Sequence, residues 1–234
     1  MSFSGAAALV TGASGDIGRA IAFDLLGAGA EVLMLGRSMA RLVQFPPPED
    51  ARGRCHFVAA DLTDNDAIDR VAAEIAPRGR LDVLVLSSGI YERSREPAVF
   101  AGQIAANLLG PYALIQRLLP LLIEAQGQIV FINSTQGLKA AAGVGQFAAT
   151  QHAMKAVADS LRDEVNANGV RVTSIFLGRT ATERQRAIFA AEGRPYPPER
   201  LVQPANVAGL VLFLLRLPRT SEVTDILLRP MQMI

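Results

Sequence analysis

Tryptophan is absent, cysteine occurs once and histidine twice in a chain of 234 residues. The single thiol, Cys55, excludes an intrachain disulfide and suits a reducing compartment, so a cytoplasmic location is expected. Cys55, His56 and His152 offer no zinc-ligand spacing, and no metal is expected. Charge of one sign is scarce too: 23 basic residues against 22 acidic leave a net charge of +1. Without a positive excess there is no electrostatic footprint for a phosphate backbone, which argues against a nucleic-acid partner. Met1 to Val10 lack the basic region and long apolar stretch of a secretory signal. The most apolar run, Val207 to Leu215, is far short of the ~20 residues that span a bilayer, so no membrane segment is expected. Internal repeats and low-complexity tracts are missing as well.

What the chain has is apolar material: 50% of its residues are hydrophobic and 19% charged. That suffices for a sizeable core, and one domain over residues 1–234 fits the length better than two. Short apolar runs alternate with helix-period segments. The strand-like runs are Ala6–Val10, Glu31–Leu35, Phe57–Ala60, Val83–Leu86, Ile129–Ile132, Val170–Leu177 and, more weakly, Ile226–Leu228. Ile17, Ala20, Ile21, Leu25 and Ala28 form the apolar stripe of a first helix, and Met154, Val157, Ala158, Leu161 and Val165 that of a later one. Strands without polar alternation are buried on both faces. The expectation is an α/β fold: a single doubly wound, Rossmann-type parallel sheet of about seven strands with helices on both faces. Glycine and proline crowd the segment 183–204, which reads as a structureless lid over a binding site.

Between the first strand and the first helix lies Thr11-Gly12-Ala13-Ser14-Gly15-Asp16-Ile17-Gly18. Glycines there let the backbone turn tightly and approach a pyrophosphate, whose charge rests at a helix N-terminus. An ordinary glycine-rich turn is the plain alternative; the strand before and the helix after favour a dinucleotide. Asp16 either caps the helix or, facing a pyrophosphate, opposes binding. At the end of the second strand an acidic residue would read a ribose 2′-hydroxyl. Gly36-Arg37-Ser38 stands there instead, and a guanidinium beside a hydroxyl suits a 2′-phosphate. NADP(H) is therefore the expected cofactor, with a solvated surface arginine as the plain reading of Arg37.

Taken in order, these residues and those that follow resemble the short-chain dehydrogenase/reductase family over essentially the whole chain. Thr11 to Gly18 matches its glycine-rich loop at both ends. The resemblance sets Asp61 and Leu62 at the adenine, and Leu86-Ser87-Ser88-Gly89 at the family's Asn-Asn-Ala-Gly segment. It makes Asn107 the helix asparagine of the catalytic group and Ser134 the serine that polarises the substrate oxygen. Gly178 and Thr182 match the segment that flanks the nicotinamide. It also implies a homodimer or homotetramer, with Ala140–Ala142 and the helix after Phe147 as candidate apolar contact surface. The small-molecule substrate or ligand is not legible.

Two departures dominate. Where the family has a tyrosine thirteen residues after the serine, and a lysine four residues later, this chain has Phe147 and Gln151. By resemblance the tyrosine is the acid or base, and the lysine lowers its pKa and holds the nicotinamide ribose. Phe147 has no exchangeable proton, and losing that role costs roughly 10²–10⁴-fold in rate. Gln151 can still hydrogen-bond a ribose but brings no charge. The chain's two lysines are Lys139 and Lys155, and Lys155 lies about 6 Å beyond Gln151 along a helix, a poor replacement. His152 points about 100° away from Gln151. The expectation is a cofactor-binding protein with lost or altered carbonyl and alcohol chemistry. The alternative is an active NADP-dependent oxidoreductase whose proton comes from Tyr91, in second place Tyr196, or from water or the substrate.

Overall fold

A computed structural model describes residues 3–232. Among them seven strands form one sheet: β1 (Ala7–Thr11), β2 (Glu31–Gly36), β3 (Cys55–Ala59), β4 (Val83–Leu86), β5 (Gln128–Ser134), β6 (Arg171–Leu177) and β7 (Asp225–Leu228). The order is β3-β2-β1-β4-β5-β6-β7, and every pairing is parallel. The helices are α1 (Asp16–Gly27), α2 (Met39–Val43), α3 (Asn65–Ile75), α4 (Pro97–Ile104), α5 (Gly110–Glu124), α6 (Gly145–Val165), α7 (Glu183–Ala191) and α8 (Pro204–Leu215).

Alternation of side chains along each strand divides the core in two. Leu9 of β1 joins Leu84, Ile129 and Val172 beneath α3, α5 and α6. Its neighbours Ala8 and Val10 face the other way and pack with Val85, Val130 and Ile175 against α1 and α8. All seven expected strands are present, with ends moved by a residue or two because pairing continues past the apolar run: β5 extends to Ser134, opposite Leu177.

β1 pairs with β2 on one side and β4 on the other, so the chain's winding reverses between β1 and β4. A crevice opens at such a switch point, outside the carboxyl ends of the strands. Thr11 is fully buried there, and its Oγ1 accepts hydrogen bonds from the backbone of Ser87 at 3.0 Å and Ser88 at 3.1 Å.

Two sequence expectations need correction. Segment 183–204 is not structureless. Thr182 caps α7 by accepting from Gln185 N at 3.2 Å, and a 3-10 turn covers Pro198–Arg200. The prolines all follow the helix, where they cannot break it, and Gly193 supplies the positive φ of 64° at its end. The second correction concerns apolar length. A continuous helical run of 28 residues, Pro97–Glu124, is by length and composition sufficient to cross a membrane. In this fold its Leu114, Ile115, Leu118 and Leu122 enter the core instead. Glycine, asparagine and proline within the run conceal its length from a search for unbroken apolar sequence. Its middle turn, Ala105–Leu109, is π-helical, a local widening that re-aims side chains.

At the opposite end of the sheet, Arg171 ties β6 to the chain after α8. Its Nη1 donates to the carbonyls of Leu217, Pro218 and Ser221 at 3.1–3.2 Å, and its Nη2 to Gln128 Oε1 at 2.6 Å. Burial, then the charge of Arg219, lowers the guanidinium's pKa. Replacing Arg171 with Met leaves several carbonyls unpaired and is expected to cost about 2–4 kcal/mol. A thermal melt of Arg171→Met should fall by roughly 5–15 °C; an unchanged midpoint refutes this role.

Candidate functional site

The crevice at the switch point is a cleft of about 890 Å³. Its floor is the β1–α1 loop, which admits no side chain at two positions, one facing the chain after β4 and one facing the loop itself. A Cβ on Gly12, at φ +66°, would lie 2.7 Å from the Ser87 carbonyl oxygen, and one on Gly18 would lie 2.5 Å from that of Gly12. Gly12, Ser14, Gly15, Asp16, Ile17 and Gly18 all line the cleft.

Asp16 does not cap α1, whose N-cap Gly15 has no side chain to contribute. One Asp16 oxygen accepts from Arg19 Nη2 and the other from the backbone N–H of Glu183, both at 2.9 Å. The carboxylate thus fastens the start of α1 to the start of α7. Beside this loop Arg37 and Arg41 reach the cleft wall. Ser38 does not: it is the N-cap of α2, its Oγ accepting from Arg41 N at 3.4 Å. The serine follows the strand end by two residues, far enough to enter the next helix's first turn. Asp61 and Leu62 lie on the same wall, with Asp61 Oδ1 accepting from both the backbone and the hydroxyl of Thr63 at 2.9 Å.

On the β4 side stand Ser88 and Gly89. The Ser88 Oγ is buried and has no hydrogen-bond partner within the described residues. Asn107, in the π-helical turn, accepts from Ile90 N at 2.7 Å and donates to Ile90 O at 2.9 Å and Thr150 Oγ1 at 3.2 Å. Thr150 Oγ1 also accepts from Gln151 Nε2 at 3.3 Å, and Asn133 Nδ2 donates to the Gln151 carbonyl at 3.1 Å. Ser134 follows, its Oγ accepting from Gln136 N at 3.2 Å, which leaves the hydroxyl proton free to donate outward. Asn107, Ser134, Phe147, Gln151, Gly178 and Thr182 all line the same cleft.

The reserve groups separate cleanly. Tyr91 lies in the cleft wall with its ring edge-on to Phe147, centroids 5.1 Å apart. Arg93 Nε donates to the Tyr91 hydroxyl at 2.6 Å, and Arg93 is anchored by Glu192 at 2.8 Å. Tyr196 is directed elsewhere, its hydroxyl donating to Thr182 O at 3.3 Å and its ring packing on Phe189. Burial raises its pKa, which makes it a weaker acid still. Lys155 pairs with Asp159 at 2.6 Å outside the cleft, and His152 is exposed, its Nδ1 2.9 Å from Ala148 O. Cys55 is half-buried, and desolvation pushes its thiol up to about 11, which leaves it inert at neutral pH. Ala140 to Ala142 are exposed, and the last two line the cleft, so part of that stretch is wall rather than contact surface.

Sequence reasoning missed the arginines that crowd this site: Arg41, Arg93, Arg179 and Arg184 line the cleft with Arg37. Glu192 accepts from Arg93, Arg179 and Arg194. Its burial alone would raise the carboxyl's pKa, but hydrogen bonds from Arg179 and Arg93 outweigh it and hold the group below the usual range.

Residues 6–193 match the family model described as short chain dehydrogenase. An uncharacterised short-chain type dehydrogenase/reductase of Sinorhizobium fredii is 31% identical over 233 residues, 95% of this chain and 90% of that protein. An uncharacterised oxidoreductase of Staphylococcus epidermidis is 30% identical over 95% of this chain and 96% of its own. Among solved structures, a metagenomic short-chain oxidoreductase in complex with NADP superposes over 100% of both chains, with a TM-score of 0.81 and 28% identity. A short chain dehydrogenase of Shigella flexneri complexed with NADP gives a TM-score of 0.85 at 26% identity, covering 96% of each chain. Motif order, sheet topology and relatives agree: this chain belongs to the short-chain dehydrogenase/reductase family of oxidoreductases.

Proposed function

We propose that this chain binds NADP(H) in the cleft between β1 and β4 and has lost or altered the carbonyl and alcohol chemistry implied by its family resemblance. The observation that carries this reading is the cleft wall beyond Gly89, where a phenyl ring, Phe147, and a neutral amide, Gln151, stand in place of an acid and a cation. A phenyl ring neither gives nor takes a proton. The Ser134 hydroxyl can donate a hydrogen bond to a substrate oxygen and so polarise it without protonating it. Lys155, held by Asp159, supplies no replacement charge.

The fit of NADP(H) rests on shape and charge. The turn admits no side chain at Gly12 or Gly18, and among the described residues the Ser88 hydroxyl lacks a partner and Arg37 and Arg41 form no ion pair. When bound, the nicotinamide supplies or accepts a hydride. The chain's own part is to grip the phosphates, orient the ribose through Gln151 and hold a substrate oxygen at Ser134. Two of the similar structures are complexes with NADP, which supports the same cofactor here.

One contact favours a second reading. Tyr91 brings a phenol against Phe147, hydrogen-bonded by the Arg93 guanidinium. In that reading the protein is an active NADP-dependent oxidoreductase of a small carbonyl or alcohol, with Tyr91 as proton donor or acceptor. Assembly as a homodimer or homotetramer belongs to the same proposal, supported by the exposed apolar side chains of Leu109, Tyr112 and Leu138; light scattering at micromolar concentration should give a multiple of the chain mass.

Calorimetry is expected to show NADPH binding roughly ten- to a hundredfold more tightly than NADH, the worth of one charge-assisted contact to the 2′-phosphate. Arg37→Ala should abolish the preference, and tighter binding of NADH by the unaltered protein refutes it. Reduction of activated ketones by NADPH is expected to be slow in the unaltered protein. The paired change Phe147→Tyr and Gln151→Lys should raise it roughly 10²-fold, each single change doing less because the two groups act as a unit. Brisk turnover by the unaltered protein that is lost in Tyr91→Phe decides for the second reading.

A further inference from the structure

Arg184 reaches across the cleft mouth from the first turn of α7. Its Nη2 donates to the Gly89 carbonyl on the β4 side. The adjacent Glu183 N–H is held 2.9 Å from Asp16 on the phosphate-loop side. The first turn of α7 therefore touches both walls of the crevice, and Arg184 lines the cleft that they enclose.

Its electrostatic position is poor. Among the described residues Arg184 has no carboxylate partner, and its one hydrogen bond goes to a neutral carbonyl. Both oxygens of Asp16 already accept from Arg19 and Glu183 N, and the Glu183 carboxylate pairs with Arg186. The residue is exposed at the cleft mouth, and desolvation, then the like charge of Arg37, lowers its pKa. A guanidinium has five donors in a planar fork and binds best to paired phosphate oxygens. The groups that would relieve Arg184 are anionic oxygens lying between the phosphate loop and Gly89.

We propose that Arg184 is a diphosphate-binding residue: on cofactor binding its guanidinium leaves the Gly89 carbonyl and pairs with the bridging diphosphate of the dinucleotide. The assignment rests on the NADP(H) reading above and adds to it a residue, a contact exchange and a division of labour. Arg37 reads the 2′-phosphate, whereas Arg184 holds the part common to NADPH and NADH.

The test is calorimetric titration of this chain with NADPH and with NADH, comparing the unaltered chain, Arg184→Gln, Arg184→Lys and Arg37→Ala. Arg184→Gln is expected to weaken both nucleotides by the same factor, about tenfold or more. Arg184→Lys, which keeps the charge and loses the fork, should fall between, and Arg37→Ala should weaken NADPH alone. Ligand-free melts of the Arg184 variants should match the unaltered protein, since one surface hydrogen bond is removed. Equal affinity in Arg184→Gln, or a loss confined to NADPH, overturns the assignment and leaves the NADP(H) reading standing. Failure of the unaltered protein to bind NADPH overturns both.

Discussion

The hydroxyl of Thr11 joins the two halves of the sheet at the place where the cleft opens. Buried and accepting from two consecutive backbone N–H groups of the β4 loop, it draws that loop against Gly12 closely enough that no side chain fits between. From this joint a line of hydrogen bonds runs around the cleft. After Ser88 and Gly89 comes Ile90, clamped through both backbone groups by Asn107; then Thr150, Gln151, Asn133 and Ser134 follow in turn. Buried polar networks of this kind fix geometry because breaking any member strands its neighbours in a low-dielectric interior.

Phe147 sits in the middle of that line without belonging to it. Only its backbone carbonyl takes part, accepting from Thr150 Oγ1 at 2.8 Å. The side chain at position 147 can therefore be a phenol or a phenyl without disturbing the network. Gln151 contributes one side-chain hydrogen bond, to Thr150, and its other tie in the line is again a backbone carbonyl, accepting from Asn133. The scaffold of the site and its proton chemistry are thus separable, and a chain can keep the first while changing the second. This is the physical sense in which a fold outlives an activity.

Much of this was legible in the sequence because it depended on local pattern. β4 reads Val83-Leu84-Val85-Leu86, buried on both faces, and announces itself. β7 was faint because its side chains alternate between partial and full exposure. The phosphate loop was legible from glycine spacing, and the cleft-lining residues from motif order. Part of what was not legible came from contacts that are distant in sequence. Asp16 meets Glu183 across 167 positions and Arg184 meets Gly89 across 95, and no window along the chain contains both partners. Helix α7 was hidden by the prolines that follow it, and the N-cap role of Ser38 in α2 was not read, though its hydroxyl proton stays free to donate.

Helix α7 is fastened at both ends. Asp16 holds its first residue, and the Glu192 at its C-terminal cap gathers arginines from the β4 side and from the segment after β6. At 1.5 Å per residue it is a strut of about 13 Å, with the phosphate loop at one end and the Tyr91–Arg93 pair at the other. A rigid strut cannot shift at one end alone. Whatever draws its first turn toward a bound phosphate also loads the joint that sets where Arg93 stands, and a substrate that repositions Arg93 loads the phosphate end in return. The two halves of the cleft thereby share one structural element, tied to the phosphate loop at its first residue and to Arg93 and Arg179 at its last turn.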